Sequence, residues 1–508
     1  MFLQTNNIPK GTVQITITKI VDYSIMALFY IAVTKTNALT QEEIGFLSIL
    51  TFLSSIVTLI TGLALPTALT KFTSENIGKN KLEEAASIQK TVSKTVLTLS
   101  VTGFIIAVLL SNQLSQYLFG SSMFANLIIL MLMHTLIYTL ITLCNSTLQA
   151  LFFFGKMAMV TLIFIVISRI TAATLAILRM SLEGVLIGYI TGSIAALITA
   201  VAFLRGKLPK TNHNASLKPI LKFSLPLFLG SLPPLVLNWA DIVGITVMTS
   251  DYSSTGIYYI VLRSATVLSI LWIPISTTIF PALSAKHGLK RPEDVTNILK
   301  KSSRYLIYTI LPCCLGLAAI SPTALAFFYG PSYTPGAIPL SILSVATIII
   351  ALYSLLTTGL IAIGKTTQIL ELNIISAILT ISILATTIPF LQTVGAALTR
   401  LITQIIGITI AFYMLQKEVR VELDKEALWK STLASITIIP FLLIFEAIIS
   451  KNLSITQTLI LEILTAVGMY AFSLRILKAL KTQDFELLRQ ALPKTLTKFV
   501  NLVEKIIV

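Results

Sequence analysis

Fourteen stretches of this chain are apolar and long enough to cross a lipid bilayer, and that excludes most folds at once. They fall at about 12–34, 43–69, 95–111, 123–153, 157–178, 184–204, 223–249, 254–282, 305–327, 336–362, 366–388, 392–416, 431–449 and 454–474. A hydrocarbon layer of ~30 Å needs roughly 20 apolar residues to span it. Inside it each backbone N–H and C=O must be paired within its own segment, so every span is expected to be a helix. The chain is 55% hydrophobic and 11% charged, where soluble domains carry roughly 25% charged residues. The expected class is therefore an all-α polytopic membrane protein.

Charge sets the orientation. The net charge of +16 would suggest nucleic acid in a soluble chain; between short apolar runs it marks a basic cytoplasmic face instead. With the N-terminus inside, 30 of the 37 Lys and Arg fall in cytoplasmic segments and only Lys35, Arg179 and Lys451 fall outside. Both termini are thus expected in the cytoplasm, in the cell membrane. No cleavable signal peptide is read at the N-terminus, so the first span serves as its own insertion signal. The tail 475–508 alternates Lys or Arg with Leu, Ile and Phe and reads as an amphipathic helix on the inner surface.

The chain also repeats. Glu43-Ile44-Gly45 recurs as Ser254-Thr255-Gly256, and Leu65-Pro66 recurs as Phe280-Pro281. Tyr117-Leu118-Phe119-Gly120 recurs as Phe327-Phe328-Tyr329-Gly330, Gly155-Lys156 as Gly364-Lys365, and Gly184 as Gly395. Six spans per copy is an even number, so the copies are parallel, with a substrate path expected between them. This gives an N-lobe at 1–205, a cytoplasmic linker at 206–222, a C-lobe at 223–416, two further spans within 417–474, and the tail.

Charges at membrane depth are costly and mark pairs or sites. They are Lys19 and Asp22, three residues apart on one helical face, then Arg169, Asp241, Arg263, Glu371 and Arg400. Asp241 and Arg263 lie at similar depth on consecutive spans, which allows either a structural pair or a pair facing a cavity. Arg169 and Arg400 read as structural. Glu371 reads as a partner for Lys365 or an interfacial group. His134 is a candidate proton relay, against the blander reading of a packed histidine. Asn238 and Trp239 are candidates for sugar contact. The three cysteines, Cys144, Cys313 and Cys314, have no metal spacing and read as packing. Gly359 to Thr366 fits the nucleotide-binding P-loop expression, but it ends an apolar span with no strand before it. It reads as a tight turn, so no nucleotide is expected.

The order of these strings resembles the multidrug/oligosaccharidyl-lipid/polysaccharide exporter superfamily. LTQEEIGFLSIL, LALPTALTKF with a basic loop, FSLPLFLGSLPPLVLNWADIVGI, and Arg263 through Pro281-Ala282-Leu283-Ser284 are most similar to its polysaccharide and lipid-linked oligosaccharide flippases, among them the lipid II flippases. The resemblance covers about 10–416. It implies two six-helix lobes in a V around a cationic cavity that takes a lipid-diphosphate-linked saccharide. Cavity cations in that family come from spans 1, 2 and 8. Lys19 and Arg263 stand in spans 1 and 8, whereas span 2 holds no cation before Lys71. The implied substrate residues are Lys19, Lys71, Asn238, Asp241 and Arg263. Asp22, His134 and Glu371 are candidates for coupling to H+ or Na+, with no resident cofactor. A monomer in contact with membrane lipids is expected. The rival readings are a cation-coupled multidrug exporter using Asp22, and a membrane glycosyltransferase or polymerase. The short outer loops, with few carboxylates, disfavour the latter.

Overall fold

The computed structural model describes residues 7–289, 291–442, 453–480 and 504, and among these all regular structure is helical. Each apolar run coincides with helix except the one at 431–449, part of which lies outside the described residues. Nearly all of the expected tail helix lies outside them too. Among the described residues, ten segments are long and apolar enough to cross a membrane, or eleven counting one bent pair. Two of the ten are 51 residues long and fold back on themselves, so each is long enough to cross twice. The polytopic all-α class expected from the sequence holds.

The chain divides into two compact units, Met1–Ile260 and Val261–Val508. In the first, α1 (Asn7–Lys35) leads to α2 (Gln41–Gly62). The Thr40 hydroxyl accepts from the Glu43 N–H, and the Glu43 carboxylate accepts from the Thr40 N–H, a reciprocal cap for the helix start. This second span is broken. Leu63 and Ala64 take positive φ of 45° and 53°, and α3 (Leu65–Gly78) restarts with Pro66 in its first turn. Next come α4 (Leu82–Leu109), the short α5 (Ser111–Phe119) and α6 (Ala125–Ala150). The hairpin of α7 (Phe154–Leu175) and α8 (Ser181–Leu204) follows. A Cβ at Gly188 would stand 2.3 Å from the Ala172 nitrogen, and one at Gly192 2.6 Å from the Ser168 nitrogen. Small residues four apart bring these backbones together where no hydrophobic drive between helices exists. Span 7 is also interrupted, at Ser231 between α9 (Leu217–Gly230) and α10 (Leu232–Thr249). The boundary between units falls within α11 (Tyr252–Val267).

In the second unit, α11 gives way to a 3-10 turn at Leu268–Leu271, and α12 (Ile273–Gly288) restarts with Pro274 in its first turn. The structural counterpart of Pro66 is thus Pro274, not the sequence match Pro281, which lies inside α12. After α13 (Pro292–Ala319) the chain bends by 77° into α14 (Ser321–Phe328). Beyond α15 (Ala337–Ala362), the long element α16 (Thr366–Gln416) reverses at Gln392, where φ is 46° and ψ −122°. Thr387 meets Thr399 at 2.9 Å and Thr380 meets Thr403 at 3.4 Å across the reversal. Two more helices, α17 (Lys425–Ile436) and α18 (Ile455–Ile476), complete the unit. Arg304 of α13 pairs with Asp424 at 3.2 Å, both side chains 12% exposed, and Tyr308 donates to the Ala479 carbonyl at 2.9 Å. These bonds hold the chain segments flanking α17 and α18 to α13.

The segment matching the P-loop expression is a helix-ending turn. Gly364 sits at φ +84°, its N–H donating to Ile361 and that of Lys365 to Leu360. In the first repeat the same pattern is made by Phe152, at φ +59°, and Phe153, bonding Gln149 and Leu148. The equivalent of Gly364 is therefore Phe152, three residues before the sequence match Gly155. Lys365 pairs with Glu418 at 2.6 Å, which corrects the expected Glu371 partner: the hairpin at Gln392 brings the end of α16 back beside that turn. Left-handed backbone penalises a Cβ by roughly 1–2 kcal/mol. Gly364→Ala should therefore lower stability by about 1 kcal/mol in detergent unfolding, while Phe152→Gly should not lower it.

Candidate functional site

A polar site in the first unit surrounds Arg169. Its guanidinium carbon lies 5.3 Å from the Phe29 ring centroid on α1 and 4.8 Å from the Tyr189 ring centroid on α8. One guanidinium N–H donates to the Tyr189 hydroxyl. Asp22, Tyr30 and Tyr259 are close enough to act on it electrostatically. The close α7–α8 packing holds Arg169 and Tyr189 in register.

His134 forms the neighbouring layer. Its Nδ1 lies 2.8 Å from the Ser193 hydroxyl, and its ring stacks on Phe164 at 6.0 Å with Tyr138 and Tyr189 beside it. Two of the ion-coupling candidates, Asp22 and His134, are thus gathered around an arginine that the sequence reading set aside as structural. The tyrosines were legible as residues, but only the fold brings them to Arg169 from three other helices.

The remaining candidates are spread out. Lys19 is exposed one turn before Asp22 on α1, and Glu371 is exposed on α16. Lys71 lies beyond the break in span 2, its ammonium 4.0 Å from the Phe223 ring centroid and 5.1 Å from that of Phe72, cation–π geometry for both. Asn238 is exposed and donates to the Pro234 carbonyl at 2.8 Å, and the rings of Trp239 and Phe52 are 5.9 Å apart. Asp241 is 2% exposed and accepts from the Tyr258 hydroxyl at 2.8 Å, a bond that ties α10 to α11. Arg263, half-buried on α11, stands just before the 3-10 break, and its neighbour Ser264 donates to the Tyr329 hydroxyl at 2.9 Å. The sequence reading overlooked two carboxylates inside apolar runs, Glu446 and Glu462, of which Glu446 lies outside the described residues. Glu462 of α18 is 2% exposed and accepts from the Thr323 hydroxyl at 3.2 Å.

A second assembly sits at the α2–α11 crossing in the first unit. A Cβ on Gly45 would lie 2.1 Å from the Tyr252 carbonyl oxygen, and one on Gly256 would lie 1.9 Å from that of Gln41. Each glycine faces the carbonyl four residues before the other, so the crossing is symmetric between repeat-related positions. Ser253 donates to the Gln41 side chain at 2.8 Å. Phe46, Phe119, Phe124 and Tyr252 pack around it, with the Phe46 ring 4.7 Å from Tyr252 and 5.0 Å from Phe119. Asp251 accepts from the Ser254 hydroxyl at 2.6 Å and from its N–H at 3.0 Å, which caps α11 and holds the Asp251 carboxyl below its usual range.

Among solved structures, the fold is similar to the lipid II flippase MurJ in an inward closed conformation. That match has a TM-score of 0.73 and 16% identity over 91% of this chain and 97% of that one. It is also similar to the multidrug transporter DinF-BH of the MATE family, with a TM-score of 0.60 and 17% identity over 84% and 98%. A transporter of the MOP superfamily from Pyrococcus furiosus matches at a TM-score of 0.57 and 14% identity over 80% and 95%. No curated protein matches the chain in sequence. A family model described as polysaccharide biosynthesis protein matches residues 8–287, from the first span through the arginine-bearing α11 and the end of α12. With more than half its length matched, the chain belongs to the polysaccharide biosynthesis protein family.

Proposed function

We propose that this protein moves a lipid-linked oligosaccharide or polysaccharide precursor from the inner to the outer leaflet of the cell membrane by alternating access. It does so as a transporter with no catalytic step of its own. The observation that carries this reading is the family match across residues 8–287, because the matched stretch includes the intramembrane cations Lys19 and Arg263. Guanidinium and ammonium groups suit a diphosphate head group. In the second unit, an apolar cavity of about 510 Å³ lined by Leu271, Pro312, Cys313, Ile438 and Tyr470 has the chemistry to take a hydrocarbon chain. Lys19, Lys71, Asn238, Asp241 and Arg263 are assigned to the substrate. The lobes 1–205 and 223–416 alternate about it, with both termini in the cytoplasm and the protein acting as a monomer. The similarity to multidrug transporters supports a second reading, export of an organic cation.

Deleting the gene and following lipid-linked glycans separates the two. On the first reading, a lipid-diphosphate saccharide accumulates on the inner leaflet and its surface polymer disappears. Unchanged glycan with raised sensitivity to cationic drugs would support the second.

A further inference from the structure

We infer that Tyr470 and Pro312 form a latch between α18 and α13, and that a hydrocarbon chain in the cavity beside them closes it. Pro312 lies inside α13 and has no N–H, so the Tyr308 carbonyl one turn earlier lacks its own helical donor. The Tyr470 hydroxyl of α18 donates to that carbonyl at 2.9 Å, and the Ser431 hydroxyl of α17 stands 3.0 Å from the Tyr470 oxygen. A bond that a helix ordinarily makes within itself is thus made by its neighbour, and α13 can flex at Pro312 whenever that bond opens. Tyr308, Pro312 and Tyr470 all line the apolar cavity of about 510 Å³, so its contents touch the latch directly. Water there supplies the Tyr308 carbonyl with a competing donor. Hydrocarbon supplies none, and a carbonyl left bare in hydrocarbon is costly, so a chain in the cavity makes the Tyr470 bond obligatory. The inference rests on the reading of this cavity as the site of the substrate's lipid chain. It adds that loading the chain stiffens α13 and that release frees it.

Two reporters on the full-length protein in phospholipid nanodiscs separate occupancy from latching. Cys313 lines the cavity next to Pro312, so in Cys144→Ala with Cys314→Ala its labelling by N-ethylmaleimide reads occupancy. Amide hydrogen exchange over residues 307–316 reads the latch. The probe is decaprenyl phosphate, with the same amount of phosphatidylglycerol as the control for bulk lipid. Decaprenyl phosphate is expected to slow Cys313 labelling severalfold, both with Tyr470 in place and in Tyr470→Phe, which keeps the ring and loses only the hydroxyl. It should slow exchange over 307–316 by about two- to tenfold, the worth of one net hydrogen bond, only where the Tyr470 hydroxyl is present. In Pro312→Ala an N–H returns to position 312, and adding Tyr470→Phe should then change nothing. Equal slowing of exchange in Tyr470→Phe overturns the latch and leaves the cavity reading standing. So does an effect of Tyr470→Phe that persists in Pro312→Ala. Labelling of Cys313 that decaprenyl phosphate leaves unchanged, or that phosphatidylglycerol slows equally, removes the substrate chain as occupant, and the inference goes with it.

Discussion

Replacing Arg263 by alanine should abolish glycan export while the protein still inserts and accumulates. Arg263 lies half-buried on α11, four residues before Val267, where helical hydrogen bonding gives way to the 3-10 turn at Leu268–Leu271. Broken helices at membrane depth place charge and unpaired backbone groups beside a substrate. A guanidinium can hold a diphosphate through two charge-assisted bonds, each worth about 1.5–3 kcal/mol. Losing both would weaken binding by more than about a hundredfold. Arg263→Lys should keep part of the activity, since it retains charge but not the planar fork. Complementation of a deletion strain, with protein quantified in the membrane, reads the outcome. Full export by the alanine variant would remove Arg263 from the mechanism and turn the search to Lys19 and Lys71.

A methyl group at Gly256 should do comparable damage from a different place. Its Cβ would lie 1.9 Å from the Gln41 carbonyl oxygen and 2.9 Å from the Gly45 nitrogen. Both are backbone atoms, so no side chain can swing away, and the helices must part by at least about an ångström, an overpacking cost of about 1–3 kcal/mol. If the crossing seals the outer side, that cost shifts the balance between sealed and open states by about 5- to 150-fold. Gly256→Ala, and Gly45→Ala as its mirror, should therefore expose a cysteine placed at Ser253 to a membrane-impermeant maleimide, and export should fall. Gly316→Ala is the control: its Cβ would meet nothing within 4 Å. Unchanged labelling and export in both variants at α2–α11 would show that the crossing does not seal the outer side.

Hydropathy and charge made the spans and the parallel repeat legible, because lipid imposes helix on any long apolar run. The same uniformity hid the interruptions. The run 43–69 reads as one span, yet it breaks at Leu63 and Ala64, and 254–282 breaks at Leu268–Leu271. The string match led to Pro281, and only the helix restart shows that Pro274 is the counterpart of Pro66. The Gly155–Gly364 match failed because a left-handed turn needs a backbone angle, which Phe152 adopts too. Of the candidate site, the charged residues were countable, but their companions were not. Tyr189 reaches Arg169 from the neighbouring helix and Phe29 from the first. Asp241 and Arg400 stand 211 residues after Tyr30 and Tyr189. The second repeat thus places an acid and a base where the first has two of the tyrosines around Arg169, a divergence that a search for similar strings passes over.

The α2–α11 crossing bears on the ancestry of the chain. A residue that meets its own repeat counterpart, each against the other's carbonyl, is what an isologous contact between two identical subunits produces. Gly45 and Gly256 stand in that relation. In a two-fold dimer of six-helix chains one glycine would serve both sides of such a contact, and a single mutation would introduce two clashes at once. With the two glycines on separate codons of one chain, the positions around them are free to differ, and they do: the first half carries Arg169 and the second its own charges. At the crossing itself neither copy gained that freedom, since a side chain on one helix is refused by the backbone of the other.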